Sequence, residues 1–157
     1  MKTKIIVLMI CVWFILSSRA VNSQNINPEY DSTLAKALGA DENGMKSYVL
    51  VILKTGTNDI KDKAIRDSLF AGHFANMNRL ADMGKLIVAG PLGSNDKSYR
   101  GIFILNVTTI EEAKELIQTD PTVKSNIFDA DMFELYGSAA LSEYLKSHKK
   151  IEKFINH

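Results

Sequence analysis

The segment YVLVILK, Tyr48 to Lys54, decides the fold. It is apolar and β-branched and lies between Gly44 and Gly56, which reads as a buried strand. A polar connection, Thr55 to Asp62, follows it. From about Lys63 to Met83 the apolar period changes to that of a helix, with Ile65, Leu69, His73, Met77 and Leu80 on one stripe and Gly84 placed to stop it. Leu86 to Ala89 is a short strand ended by Gly90-Pro91. Leu92 to Tyr99 is a polar loop of hairpin type, and GIFILNV, Gly101 to Val107, is a second long buried strand. Thr108 and Thr109 stand three residues before Glu111 and Glu112, so either can form a capping box for a helix to about Thr119. Its inward residues are Ile110, Ala113 and Ile117, and Asp120-Pro121 breaks it. Met132 to Tyr136 is a last strand, and Ala139 to Ile155 a Lys-rich helix. On the N-terminal side, Gln24 to Asn43 is a polar arm with a short helix capped by Asp31, turning Leu34 and Leu38 inward and ending at Gly39.

The order strand, helix, strand, strand, helix, strand predicts an α+β fold. Two right-handed crossovers joined by a hairpin make the split βαβ of a ferredoxin-like fold. Both helices then cover one face of the sheet. The other face carries the alternate residues of apolar strands, and a large exposed apolar patch marks an interface. The expected assembly is a homodimer, sheet face against sheet face.

The N-terminus reads as a cleavable secretory signal. Lys2 and Lys4 precede 12 apolar residues, Ile5 to Leu16, and Ser17, Ser18, Ala20 and Ser23 supply the small residues of a cleavage site after Ala20 or Ser23. The apolar run is short of the ~20 residues that span a bilayer, so no membrane attachment is expected after cleavage. The protein is then secreted, to the periplasm or outside the cell. The only Cys (Cys11) and the only Trp (Trp13) leave with the signal, so the mature chain has no disulfide and no thiol nucleophile. It also loses Lys2, Lys4 and Arg19 and no acid, which takes the formal charge from +1 to −2. A mildly acidic chain without a basic block is not a nucleic-acid binder. Four parts follow: a signal at 1–23, an arm at 24–46, one folded domain at 47–137 and a helical tail at 138–157.

Three histidines remain. His148 and His157 lie in the basic C-terminal helix and tail and read as solvated. His73 sits on an apolar stripe between Leu69 and Met77, where its ring N–H needs a partner. It is either a core-edge histidine bonded to a backbone carbonyl or a functional one. Asp120 stands where the second helix breaks; it is either turn chemistry or a carboxylate held against the dipole of the preceding helix for another purpose. Together they would form a pair in which the carboxylate orients the imidazole for general acid–base work. Two ligands do not make a metal site. The chain has no nucleophile elbow, no Walker loop and no HExxH, and Gly90-Pro91-Leu92-Gly93 is not a dinucleotide fingerprint.

Gly72-His73, Leu80, Gly84, Leu86, Ala89-Gly90-Pro91, Gly101, Glu112-Ala113 and Asp120-Pro121, in that order, resemble the YCII-related (YciI-like) family over roughly Ser47 to Tyr136. Tyr136 to Leu141 looks like the end of secreted members that carry an extra tail. The resemblance implies a ferredoxin-like dimer of the dimeric α/β-barrel type and puts the family's catalytic His and Asp on His73 and Asp120. It implies small-molecule chemistry of lyase or isomerase type and gives no reason to expect a cofactor. Gly90, Pro91 and Gly101 become candidate substrate-binding positions, because Gly lets backbone approach a ligand closely; a strand end and a turn remain the other reading. The chain departs from the family where a Gly often follows Asp-Pro, near Asn126, and where the last strand often ends in Pro-Trp, here Glu134-Leu135 before Tyr136. An exported binding module with the same fold, holding a small molecule without turnover, is the rival reading.

Overall fold

A computed structural model of the chain describes residues 26–153. The secretory-signal reading and His157 lie outside these residues. Residues 26–31 belong to one unit and include a turn closed by the Tyr30 N–H on the Asn27 carbonyl. Residues 32–153 belong to the other unit, which holds all the elements below.

That unit runs α1 (Ser32–Leu38), β1 (Met45–Thr55), α2 (Lys63–Asp82), β2 (Leu86–Pro91), β3 (Tyr99–Leu105), α3 (Ile110–Ile117), α4 (Pro121–Lys124), β4 (Phe128–Ser138), a 3-10 turn (Ala139–Ser142) and α5 (Tyr144–Ile151). The four strands form one antiparallel sheet in the order β2-β3-β1-β4. With α2 and α3 as the crossovers, this is the ferredoxin-like arrangement. β1 is central because YVLVILK can bury both of its faces. Val49, Val51 and Leu53 point into the core with Phe103 and Leu105 of β3, and Leu80, Ala113 and Ile117 cover them from the helices.

Local chemistry sets the element ends. Asp62 caps α2 by accepting from the Ala64 and Ile65 N–H groups, and Gly84, at φ +66°, turns the chain out of it. Thr109 caps α3 by accepting from Glu112 N–H. Asn95 organises the β2–β3 loop: its Oδ1 accepts from Lys97 and Tyr99 N–H, and its amide donates to the Gly93 and Tyr99 carbonyls.

Some details differ from the sequence reading. Leu34 is 48% exposed and Leu38 half-buried, so α1 does not turn its apolar side into the core. Ile65 is 53% exposed; residues 63–68 are all exposed, and α2 packs only from Leu69 onward. β2 continues through Gly90 and Pro91, because Pro91 sits on an edge strand where its missing N–H costs no ladder bond. The tail is a 3-10 turn followed by a short helix, since Ser138 caps the turn by accepting from Ala140 N–H.

The tail also changes the second sheet face. Tyr48 Oη donates to the Ser138 carbonyl at 2.8 Å, Leu141 packs near Gly137, and Tyr144 Oη donates to the Ile87 carbonyl. Tyr48 is thereby fully buried at one end of that face. Leu50, Ile52, Ile102 and Ile104 stay half-buried and Phe133 is 50% exposed, so an apolar strip remains open. Among the described residues no helix is long and apolar enough to cross a membrane.

Candidate active site

His73 and Asp120, 47 positions apart, meet. His73 Nδ1 lies 2.6 Å from Asp120 Oδ2. His73 projects from the middle of α2, and Asp120 is held by the segment between α3 and α4. That segment is built as an N-cap: Asp120 is extended, its Oδ1 accepts from Thr122 N–H at 2.9 Å and from Thr122 Oγ1 at 2.6 Å, and Pro121 occupies the first turn of α4. Asp120 therefore caps the following turn, which is the turn chemistry that was one of its two readings. Asp-Pro read as a helix breaker; it is also a helix start.

Three donors thus converge on one carboxylate that is 1% exposed. Burial pushes the Asp120 carboxyl up, but the hydrogen bonds from His73 and Thr122 outweigh this and hold it below the usual carboxylate range. An ionised Asp120 accepts only, so Nδ1 must carry the proton that it receives. In the neutral imidazole the lone pair is then on Nε2. Nε2 has no hydrogen-bond partner among the described residues, and the His73 side chain keeps 9% of its surface open.

Four phenyl rings surround the imidazole. Phe103 stacks on it at 6.1 Å between centroids, and Phe70, Phe74 and Phe128 meet it edge to face at 6.3, 5.4 and 5.7 Å. They keep water and its screening away from the His–Asp bond, which strengthens it. Close packing sets the approach of the two elements. A Cβ on Gly72 would stand 2.9 Å from Pro121 Cγ, so only glycine lets α2 come this near to Asp120-Pro121. Nearly two turns further along α2, Arg79 Nη2 donates to Asn76 Oδ1 and to Thr119 Oγ1, both at 2.8 Å, and fixes the residue before Asp120.

The remaining candidates lie elsewhere. Gly90 and Pro91 are on edge strand β2, paired with Ile102 and Gly101 of β3. A Cβ on Gly101 would come 2.9 Å from the Gly90 carbonyl oxygen, so this glycine permits a close approach of the two strands. Gly101 shares a face of β3 with Phe103, and none of the three is a hydrogen-bond partner of the His73 or Asp120 side chain. His148 is exposed, its ring against Tyr144. Among the described residues no group of three or more His, Cys, Asp or Glu side chains is placed to hold a metal ion. The sequence reading missed Thr122 and the phenyl shell. Asp-Pro-Thr carried the signal for the first, as a capping residue followed by Pro at the first helical position.

The sequence profile of the YCII-related domain matches residues 48–135, more than half of the chain, from within β1 through most of β4. The chain belongs to the YCII-related family. The matched span contains both His73 and Asp120. Among solved structures, that of 5-chloro-2-hydroxyhydroquinone dehydrochlorinase from Burkholderia phenoliruptrix AC1100, in complex with 2,5-dihydroxybenzoquinone, is similar at 22% identity over 54% of this chain and 90% of that one, with a TM-score of 0.39. No curated protein sequence matches.

Proposed function

We propose that this YCII-related protein is a small-molecule enzyme of proton-transfer type, working on a lyase or isomerase reaction. His73 Nε2 takes and returns the substrate proton. Asp120 holds the Nδ1–H tautomer and stabilises the imidazolium that forms, a contribution of about 10²–10⁴-fold for a well-placed acid–base group. Thr122 orients Asp120, and the chemistry requires no redox partner. One observation carries this reading: a 2.6 Å bond between a buried histidine and a buried carboxylate, with the other ring nitrogen unpartnered. A core-edge histidine would spend its N–H on a backbone carbonyl and need no ionised partner.

The test is solvent deuterium incorporation into a panel of small cyclic carbon acids, followed by proton NMR. Enzyme-dependent exchange of at least one compound is expected, lost in both His73→Ala and Asp120→Asn. Exchange that survives in both variants, or a wild type that exchanges nothing yet shifts in melting temperature with the same compounds, sinks the catalytic reading and leaves a binding module.

The working unit in this proposal is a homodimer joined through the open strip of Leu50, Ile52, Ile102, Ile104 and Phe133. Phe133→Asp should turn a dimer into a monomer by light scattering; a wild type that is already monomeric contradicts it. Export is part of the same proposal, on the strength of residues 2–23. N-terminal sequencing of the protein from its native source should begin at Val21 or Gln24.

A further inference from the structure

A cavity of about 610 Å³ opens between the end of β1, the first turns of α2 and the start of β4. Its floor is apolar: Phe70 and Phe128, 5.6 Å apart and edge to face, with Ile60 and Ile127. The same two phenyls also meet the His73 ring edge to face. Its rim is charged. Arg66 and Arg100 both line it, and among the described residues no carboxylate pairs with either guanidinium. Arg100 is steered by its Nε, which donates to Thr55 Oγ1 at 2.6 Å. Asp59 is the one acid on the rim, and Lys61 holds it in an ion pair.

The cavity is built from pinned backbone. Gly56 N–H donates to the Ile127 carbonyl at 2.8 Å and Asn58 N–H to the Asn126 carbonyl at 3.0 Å, while the Asn58 side-chain amide donates to the Ser125 carbonyl. Gly56 cannot be replaced here, since a Cβ would fall 2.1 Å from the Asn126 oxygen. The Ile127 N–H in turn donates to the Thr122 carbonyl, so one wall of the cavity continues into the residue that orients Asp120.

We propose that this cavity binds a small aromatic carboxylate. The ring lies on Phe70 and Phe128, and the carboxylate takes the guanidiniums of Arg66 and Arg100, whose planar forks match its two oxygens. Asp59 is already paired with Lys61, so the two guanidiniums are the charge the lining leaves for a ligand carboxylate. The volume is within the usual range for small-ligand sites, about 300–1,000 Å³. The inference does not depend on His73 acting as a base.

The experiment is an NMR titration of the whole protein with benzoate, benzamide and phenyl phosphate, repeated in Arg66→Gln and Arg100→Gln. Both arginines are exposed, so neither variant should lose the fold. Benzoate should bind the wild type, with ring protons giving NOEs to Phe70 and Phe128, and each Arg→Gln change should weaken it by about tenfold or more. Benzamide should bind far more weakly than benzoate. Benzamide equal to benzoate, phenyl phosphate tighter than benzoate, contacts to other residues, or no benzoate binding at all would each overturn the proposal.

Discussion

Thr122→Val tests whether the Asp120 charge is held as the geometry indicates. Valine keeps the shape and β-branching of threonine and removes only the hydroxyl that donates to Asp120 Oδ1 at 2.6 Å. Thr122 is fully buried, so water does not replace the lost donor. A hydrogen bond to a charged group contributes about 1.5–3 kcal/mol. Asp120 Oδ1 keeps the Thr122 N–H at 2.9 Å, so the carboxylate is weakened without being stripped. That sets the loss near 2 kcal/mol at neutral pH, or roughly 6–10 °C in melting temperature for a domain of this size. The loss also has a pH signature. The folded Asp120 pKa is lower than its unfolded value of 3.8. Stability from such a group is fully present above the unfolded pKa and is lost as pH falls through the folded one. The gap between wild type and Thr122→Val should therefore be full at neutral pH and close in acid below the unfolded value. Urea titrations across that range measure it. A gap below about 0.5 kcal/mol at neutral pH, or one that stays constant into acid, refutes the reasoning.

Three further predictions follow from close contacts and backbone angles. Gly72→Ala gains helix propensity of about 1 kcal/mol but sets a Cβ 2.9 Å from Pro121 Cγ; net stability should change little, while any proton-exchange activity should fall at least about tenfold as the His–Asp geometry shifts. Gly56→Ala drives a Cβ into the Asn126 carbonyl, and chemical denaturation should show a loss of more than about 3 kcal/mol. Asn126 has φ +57°, so Asn126→Gly should be neutral within a few tenths of a kcal/mol and Asn126→Ala should cost about 1 kcal/mol or more.

The sheet and both crossover helices were legible because strand and helix periods differ sharply in YVLVILK, GIFILNV and the Leu69–Leu80 stripe. Asn126 was legible as a place where the family favours Gly: the chain there is left-handed, a conformation Asn tolerates. His73 stood out because a polar ring on an apolar stripe needs a partner. Asp120 could be named as a candidate partner from its place before Pro121, and the family resemblance pointed to the same pair; that the two meet is set by topology, since periodicity does not say which loop a helix meets. Phe70 and Phe128 were hidden for the same reason: each is ordinary in its own element, and their meeting around the imidazole is a product of topology. The tail over Tyr48 was hidden because a Lys-rich helix reads as solvated, whereas Tyr144 and Leu141 reach the sheet ahead of the lysines.

The most direct test is the ring-nitrogen NMR spectrum of His73 in wild type and in Asp120→Asn. In wild type the neutral ring should carry its proton on Nδ1, with the lone pair on Nε2. In Asp120→Asn the amide oxygen must stay on the two Thr122 donors, so the NH₂ faces Nδ1. The tautomer should then reverse, placing a proton on Nε2, and any exchange activity should fall by about 10²–10⁴-fold. A wild-type ring with its proton on Nε2, or a tautomer that does not change in the variant, contradicts the acid–base account.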